Sequence, residues 1–410
     1  MSKRVTGLDV LRGTGIMLVV FMHSALFQFG NLGQIDFANP PLVVTLMGFL
    51  LMWAGLFAMI SMMANTAVSL VRTAEDKNYN TRRALMISGL YLLVAGFIYF
   101  MFLGPPLLDL EGGRHQYSLA QGLLRGVSPV LHADRFFYVN ALIMLGLNQL
   151  LLAPVLCWLL RVRRRAAHYY WLLGGTIFVM LLSLLRLPLY PLYQEIYGRG
   201  SYLVAFFFGL LVNKNNPILP FLAFGLLGML IALLLFESPV ARKNMRRLVL
   251  LGVAIIVISI AGLTMLPDSM LERDIDMFWY LLMCLQLGLF TLLLLAVVRV
   301  FDFSAPPRIE KFARASRVFS RFGVATLTVF MLETPVGELT AKAWSLFWPG
   351  WDQTINVTLL YAGFNVLLWT VFLAIWQRYG FKFSLEWWGA RIYGLLGRPS
   401  VKDRGGQLLK

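Results

Sequence analysis

The 410-residue chain is 59% hydrophobic and only 14% charged, where soluble domains carry roughly 25% charged residues. That composition excludes a disordered chain, a collagen, a secreted disulfide scaffold and a solenoid of amphipathic repeats, and leaves one all-α, polytopic membrane domain. The net charge is +16, from 36 Lys and Arg against 20 Asp and Glu. In a soluble chain such a balance points to nucleic acid; in a membrane protein the first question is which side the charges occupy.

A transmembrane helix needs about 20 mostly apolar residues. In chain order the candidates are 13–29, 41–63, 84–103, 136–160, 169–187, 217–236, 248–266, 277–298, 322–341 and 355–376, which makes ten spans. Lys3 and Arg4 before the first apolar stretch resemble the start of a signal peptide. His23 interrupts that stretch and no small-residue cleavage site follows, so it reads as a retained first span. The ninth candidate is the least apolar, because it contains Glu333, Pro335 and Glu338. A further run, Tyr202 to Val212, is too short to cross and reads as one re-entrant or interfacial segment.

The connecting segments test this count. With the N-terminus inside, 28 of the 36 Lys and Arg fall on the inner side and 8 on the outer, giving +20 inside and −4 outside. This is the bias expected for short cytoplasmic loops. Treating 202–212 as an eleventh span would put Arg242, Lys243, Arg246 and Arg247 outside, against that bias. Both termini are therefore expected in the cytoplasm, with a single transmembrane domain over 1–396 and a disordered polar tail at 397–410. Three outer loops are long enough to meet a substrate, 104–135, 188–216 and 337–354; the first carries His115, His132, Asp134 and Arg135. The basic inner segments 161–168 and 299–321 have two readings: topology with attraction to anionic lipid heads, or a polyanionic ligand such as a nucleotide phosphate.

Few residues offer chemistry at membrane depth, where an ionisable group is a functional candidate by default. His23 sits about 16 Å along the first helix from Arg12. It is either a general base or an imidazole hydrogen-bonded to a neighbouring helix. Glu333 is placed to orient an imidazole, hold a proton or pair with an arginine, or else forms a structural ion pair. Asn140, Asn148 and Gln149 read as interhelical hydrogen-bonding groups. Cys157 and Cys284 lie in apolar segments and make neither a disulfide framework nor a zinc site. The four His lack paired spacing, so no metal is expected, and no P-loop, GxSxG or GxGxxG is present.

The opening Arg4, then Leu8-Asp9-Val10-Leu11-Arg12-Gly13, with ten residues between Arg12 and His23, resembles the signature of membrane-bound acyltransferases. That signature is shared by the acyltransferase-3 family and relatives of heparan-α-glucosaminide N-acetyltransferase. Thr81-Arg82-Arg83, the stretch Asn216 to Gly228 with Pro217 and Pro220, and Phe322 to Phe330 are similar to further segments of the second group. The resemblance implies an enzyme of about ten helices that takes an acyl group, usually acetyl, from cytoplasmic acyl-CoA. It delivers that group to a sugar hydroxyl or amine on the other side of a bacterial inner membrane. The acceptor would be an exopolysaccharide, a lipid-linked sugar, peptidoglycan or a periplasmic glucan. Acyl-CoA, the glycan acceptor and membrane lipids are then the partners, with no nucleic acid, and a homodimer is compatible with this reading. His23 and Glu333 are the catalytic candidates; Arg12, Arg82, Arg83, Arg163 and Arg164 are the candidates for holding CoA phosphates. The alternatives are a proton-coupled transporter or flippase of an envelope precursor, with His23 and Glu333 as a relay, and a non-catalytic scaffold.

Overall fold

A computed structural model describes residues 5–35, 40–76, 79–107, 115–127, 130–161, 165–237, 241–267 and 274–397. The described residues are 83% helical, with no strands among them. Three helices open the chain, α1 (Thr6–Leu26), α2 (Leu42–Leu51) and α3 (Ala54–Glu75). Helix α4 (Thr81–Ile98) runs on into a π-helical turn, Tyr99–Leu103, and the short α5 (Leu119–Arg125) and α6 (Asp134–Phe137) follow before the next long helix. Then come α7 (Ala141–Arg161), α8 (Arg165–Leu182), α9 (Arg186–Gly198), α10 (Tyr202–Val212), α11 (Ile218–Ala232) and α12 (Ala241–Leu263). The chain finishes with α13 (Met277–Asp302), α14 (Pro306–Ala315), α15 (Arg317–Val324), α16 (Thr326–Phe347), α17 (Ile355–Arg378) and α18 (Leu385–Gly397).

Among the described residues nine helical runs are long and apolar enough to cross a membrane, or ten if α15 and α16 count as one. This is the architecture of an integral membrane protein. The runs extend past the C-terminal ends of the expected spans: 41–63 is continued to Glu75 in Leu42–Glu75, and 169–187 to Gly198 in Tyr169–Gly198. Hydropathy marks only the part of a helix suited to lipid, whereas backbone hydrogen bonding carries it on into polar residues. The ninth span differs more. It starts at Thr326 rather than 322, reaches Phe347, and meets α15 at an angle of 87°. Helix α10 has 11 residues, about 16 Å of helix against a hydrocarbon core of about 30 Å, and so cannot cross alone.

The chain divides into two compact units. The first comprises residues 1–8, 52–94 and 139–312. Its centre is α11, buried along nearly its whole length, which packs on α3, α7 and α8. Two of the polar residues expected between helices are so used: Asn148 Nδ2 donates to the Phe221 carbonyl (3.3 Å), and Gln149 Nε2 donates to Ser61 Oγ (3.1 Å). Asn140 instead caps α7, its Oδ1 accepting from the Leu142 and Ile143 amides. At the start of α1, Asp302 accepts from the Thr6 and Gly7 amides, groups with no partner inside the helix.

The second unit comprises 9–51, 95–138 and 313–410. Its core joins Ile16 and Val20 of α1, Phe322 of α15, Val329 of α16, and Trp369 and Leu373 of α17. Helices α1 and α15 cross backbone to backbone. A Cβ on Gly13 would stand 1.7 Å from the Phe319 carbonyl oxygen, and one on Gly323 would stand 2.0 Å from that of Asp9. Only hydrogen fits at either position. The sharp turn from α15 into α16 is held by α18. The Glu386 carboxylate accepts from the amides of Leu327 (2.5 Å) and Thr328 (3.2 Å) and from Thr328 Oγ1 (2.6 Å). Thr328 Oγ1 in turn accepts from the Leu385 amide. A carboxylate thus caps, from another helix, the positive end of α16. Burial pushes the Glu386 carboxyl up from its usual range, and these donors oppose that rise.

Gly13→Ala and Gly323→Ala should each destabilise the protein by about 1–3 kcal/mol or more through overpacking, read as a lower unfolding midpoint in detergent. Gly33→Ala, where no atom lies within 4 Å of the added Cβ, should leave the midpoint in place. Glu386→Ala should cost about 1 kcal/mol as a lost helix cap, visible in the same melt.

Candidate active site

His23 lies near the end of α1 and Glu333 lies within α16, and the fold brings them together. His23 Nδ1 is 2.8 Å from Glu333 Oε1. The same oxygen accepts from Tyr99 Oη (3.0 Å) and Thr334 Oγ1 (2.7 Å). A carboxylate only accepts, so Nδ1 carries the proton in this bond; whenever the ring is neutral, Nε2 is the nitrogen with the lone pair. Exposure separates the partners: the Glu333 side chain is 2% accessible and that of His23 14%. The carboxylate is sealed, and the imidazole can still be reached. Phe27, one turn on, stands against the imidazole with ring centroids 5.0 Å apart.

Tyr99 reaches this site because α4 changes to a π-helical turn there. Such turns shift the side-chain register and recur at functional sites. The Tyr99 ring packs on Phe330 of α16 at 4.6 Å. Arg135 holds the turn from behind. Its Nε and Nη2 donate to the Phe100 carbonyl, Nη2 to that of Pro105, and Nη1 to that of Gln116. The guanidinium also lies over the Phe100 ring at 4.6 Å. Arg135 is 1% exposed, and burial pulls it down to about 10. Asp134 accepts from Gln116 Nε2 at 2.9 Å. Asp134 and Arg135 therefore both hold this loop together.

Five residues beyond the dyad on both segments stands a second cluster. Gln28 Nε2 donates to Glu338 Oε1 (2.9 Å), as does Gln121 Nε2 (2.9 Å). Arg125 binds Glu338 in a fork, Nη2 to Oε1 and Nε to Oε2, both at 2.8 Å. Its Nη2 also donates to Gln28 Oε1 at 3.2 Å, and its guanidinium lies over the Tyr117 ring at 5.0 Å. Burial lowers the Arg125 guanidinium, but the bonds and charge of Glu338 outweigh it and raise it above the usual arginine range. A cleft of about 600 Å³ opens beside this cluster.

The arginines expected to hold phosphates are distributed differently. Arg12 lies on the same helix as His23, and eleven residues at about 100° each return to nearly the same face, about 16 Å away. Its Nη1 is 4.0 Å from Asp9 Oδ1. Arg82 and Arg83 are exposed in the first turn of α4, which is capped by Asn80 Oδ1 accepting from the Arg83 amide. They belong to the first compact unit, and His23 to the second. Arg163 and Arg164 lie outside the described residues. Among the described residues no group of three or more His, Cys, Asp or Glu is placed to hold a metal ion.

Tyr99, Thr334, Gln28, Gln121 and Arg125 were not singled out by sequence reading. Tyr99 stands in the apolar run GFIYFMFLG, where nothing distinguishes it from a lipid-facing tyrosine. Arg125 and Gln121 carried a weak signal, an amphipathic turn inside a long loop, and Glu338 stood out only as a defect in the ninth span.

The family model described as an acyltransferase domain, of the acyltransferase-3 type, matches residues 5–377, from the start of α1 to within the last turn of α17. No curated protein sequence and no solved structure matches the chain significantly. The match takes in α1 with Arg12 and His23, the π-helical turn with Tyr99, and α16 with both carboxylates. The chain belongs to the acyltransferase-3 family and is a membrane acyltransferase.

Proposed function

We propose that the protein moves an acyl group, acetyl in the simplest case, from cytoplasmic acyl-CoA to a hydroxyl or amine of a cell-envelope glycan on the outer side of a bacterial inner membrane. The observation that carries this reading is the hydrogen bond between a reachable imidazole, His23, and a sealed carboxylate, Glu333, within an acyltransferase domain. Nε2 of His23 removes the proton from the acceptor O–H or N–H as that atom attacks the thioester carbonyl. The tetrahedral intermediate collapses with cleavage of the C–S bond, and the CoA thiolate takes the proton from Nε2. Glu333 keeps the ring oriented and stabilises the imidazolium between the two transfers, as a carboxylate does for the histidine of a catalytic triad. In the covalent variant Nε2 itself attacks the thioester and expels the CoA thiolate; the acceptor then attacks the acyl carbonyl and displaces the imidazole, whose freed Nε2 takes the acceptor's proton.

The donor side follows from charge. CoA is a polyanion, and the side holding 28 of the 36 Lys and Arg attracts it. Arg12 stands along the helix face that leads to His23, and Arg82, Arg83, Arg163 and Arg164 are the further phosphate candidates. The acyl chain would enter along α1 toward the imidazole.

His23→Ala should lower acetyl transfer by about 10²–10⁴-fold, measured with labelled acetyl-CoA in membranes and by the acetyl mass on the host's envelope glycans. Unchanged glycan acetylation in that variant would contradict the proposal. Tyr99→Phe removes one donor to a charged acceptor, and transfer should fall about tenfold with the protein still inserted and folded. A transporter would show no acetyl transfer by purified wild-type protein.

A further inference from the structure

We propose that the cleft beside Glu338 is the acceptor subsite and that it takes a neutral, polyhydroxylated sugar; this rests on the acyl-transfer reading above. The cleft, of about 600 Å³, is lined among others by Gln28, Arg125, Glu338, Lys342, Trp351 and Asp352. That is a volume suited to small-ligand binding.

Its position relative to His23 is set by helix geometry. Glu338 follows Glu333 by five residues of α16, about 7.5 Å of rise. Gln28, which bonds Glu338, follows His23 by five residues of the chain. Arg12 lies about 16 Å from His23 in the opposite direction along α1. Donor and acceptor therefore approach the imidazole from opposite ends of one helix. The cleft end is also the end that the charge distribution assigns to the outside.

Its chemistry is that of a sugar site. Hydroxyls donate and accept at once, so they are read by fixed planar groups that between them offer donors and acceptors. Arg125, Glu338 and Gln28 form such an array, already held by bonds at 2.8–3.2 Å. Glu338 is 2% exposed and Gln121, behind it, is fully buried, so the array is built in advance of any ligand. Trp351 supplies an apolar wall, fixed by its Nε1 bond to Ser345 Oγ (2.9 Å) and by the Tyr361 ring at 4.4 Å. The charges cancel: Arg125 neutralises Glu338, and the positive Lys342 is offset by the negative Asp352. Lys342 is exposed and has no ion-pair partner among the described residues. A balanced mouth gives no net attraction to a uronate, a phosphate or a lactyl carboxylate.

The test uses right-side-out membrane vesicles loaded with labelled acetyl-CoA. Saponified envelope glycans of the host, separated by anion exchange into neutral and anionic fractions, are supplied outside. Wild-type protein should label the neutral fraction. Lys342→Ala and Asp352→Asn should each raise the KM for that fraction about tenfold, the loss of one hydrogen bond to a charged group, with the KM for acetyl-CoA within twofold of wild type. Label confined to the anionic fraction, an unchanged acceptor KM in both variants, or a shift in the acetyl-CoA KM instead would each overturn the assignment. No label in either fraction, with wild type, would overturn the acyl-transfer reading itself and this one with it.

Discussion

The second unit is organised around the cost of burying Glu333. Its side chain is 2% accessible in a chain that is 59% hydrophobic, and an unsatisfied carboxylate there would be untenable. Three donors satisfy one oxygen, each from a different source: the imidazole of α1, the phenol of the π-helical turn, and the hydroxyl of Thr334 beside it. Every donor must be delivered to within a few tenths of an ångström, and much of the surrounding structure serves that delivery. The glycine crossing brings α1 close against α15, the helix that leads into α16. The Glu386 cap holds the first turn of α16. Arg135 ties down the carbonyls of the turn that presents Tyr99.

The two carboxylates of α16 show how surroundings divide labour. Glu333 receives an imidazole and two neutral hydroxyls, which in the proposed mechanism leaves its charge to stabilise an imidazolium. Glu338 is locked by a bidentate guanidinium and two amides. A fork of this kind fixes geometry as well as charge. One carboxylate is thereby suited to assist proton transfer, and the other to hold a rigid hydrogen-bonding surface.

Local periodicity made some of this visible beforehand. Arg12 and His23 lie eleven residues apart on one continuous helix, so their shared face follows from helix geometry alone. The apolar runs predicted the span count, and the interhelical roles of Asn148 and Gln149 followed from the scarcity of polar groups in those runs. The contact between His23 and Glu333 did not follow, because 310 residues separate them and no pattern within either helix encodes the other. The 87° bend at Ala325 was invisible to hydropathy, which measures lipid preference and not direction. Tyr99 was hidden for a related reason: a π-helical turn re-aims a side chain without altering composition. Arg135 looked like a loop residue open to substrate, and its burial against backbone carbonyls appears only once the loop is folded.

The central claim is that His23 and Glu333 act as one catalytic unit. A double-mutant cycle on acetyl transfer tests it most directly, with His23→Ala, Glu333→Ala and the pair measured at saturating acetyl-CoA. Residues that act as a unit give grossly non-additive losses. The account predicts that the double variant is no slower than His23→Ala alone, since Glu333 works only through the imidazole. Losses that multiply, with the double variant slower than His23→Ala by the full factor of Glu333→Ala, would contradict it.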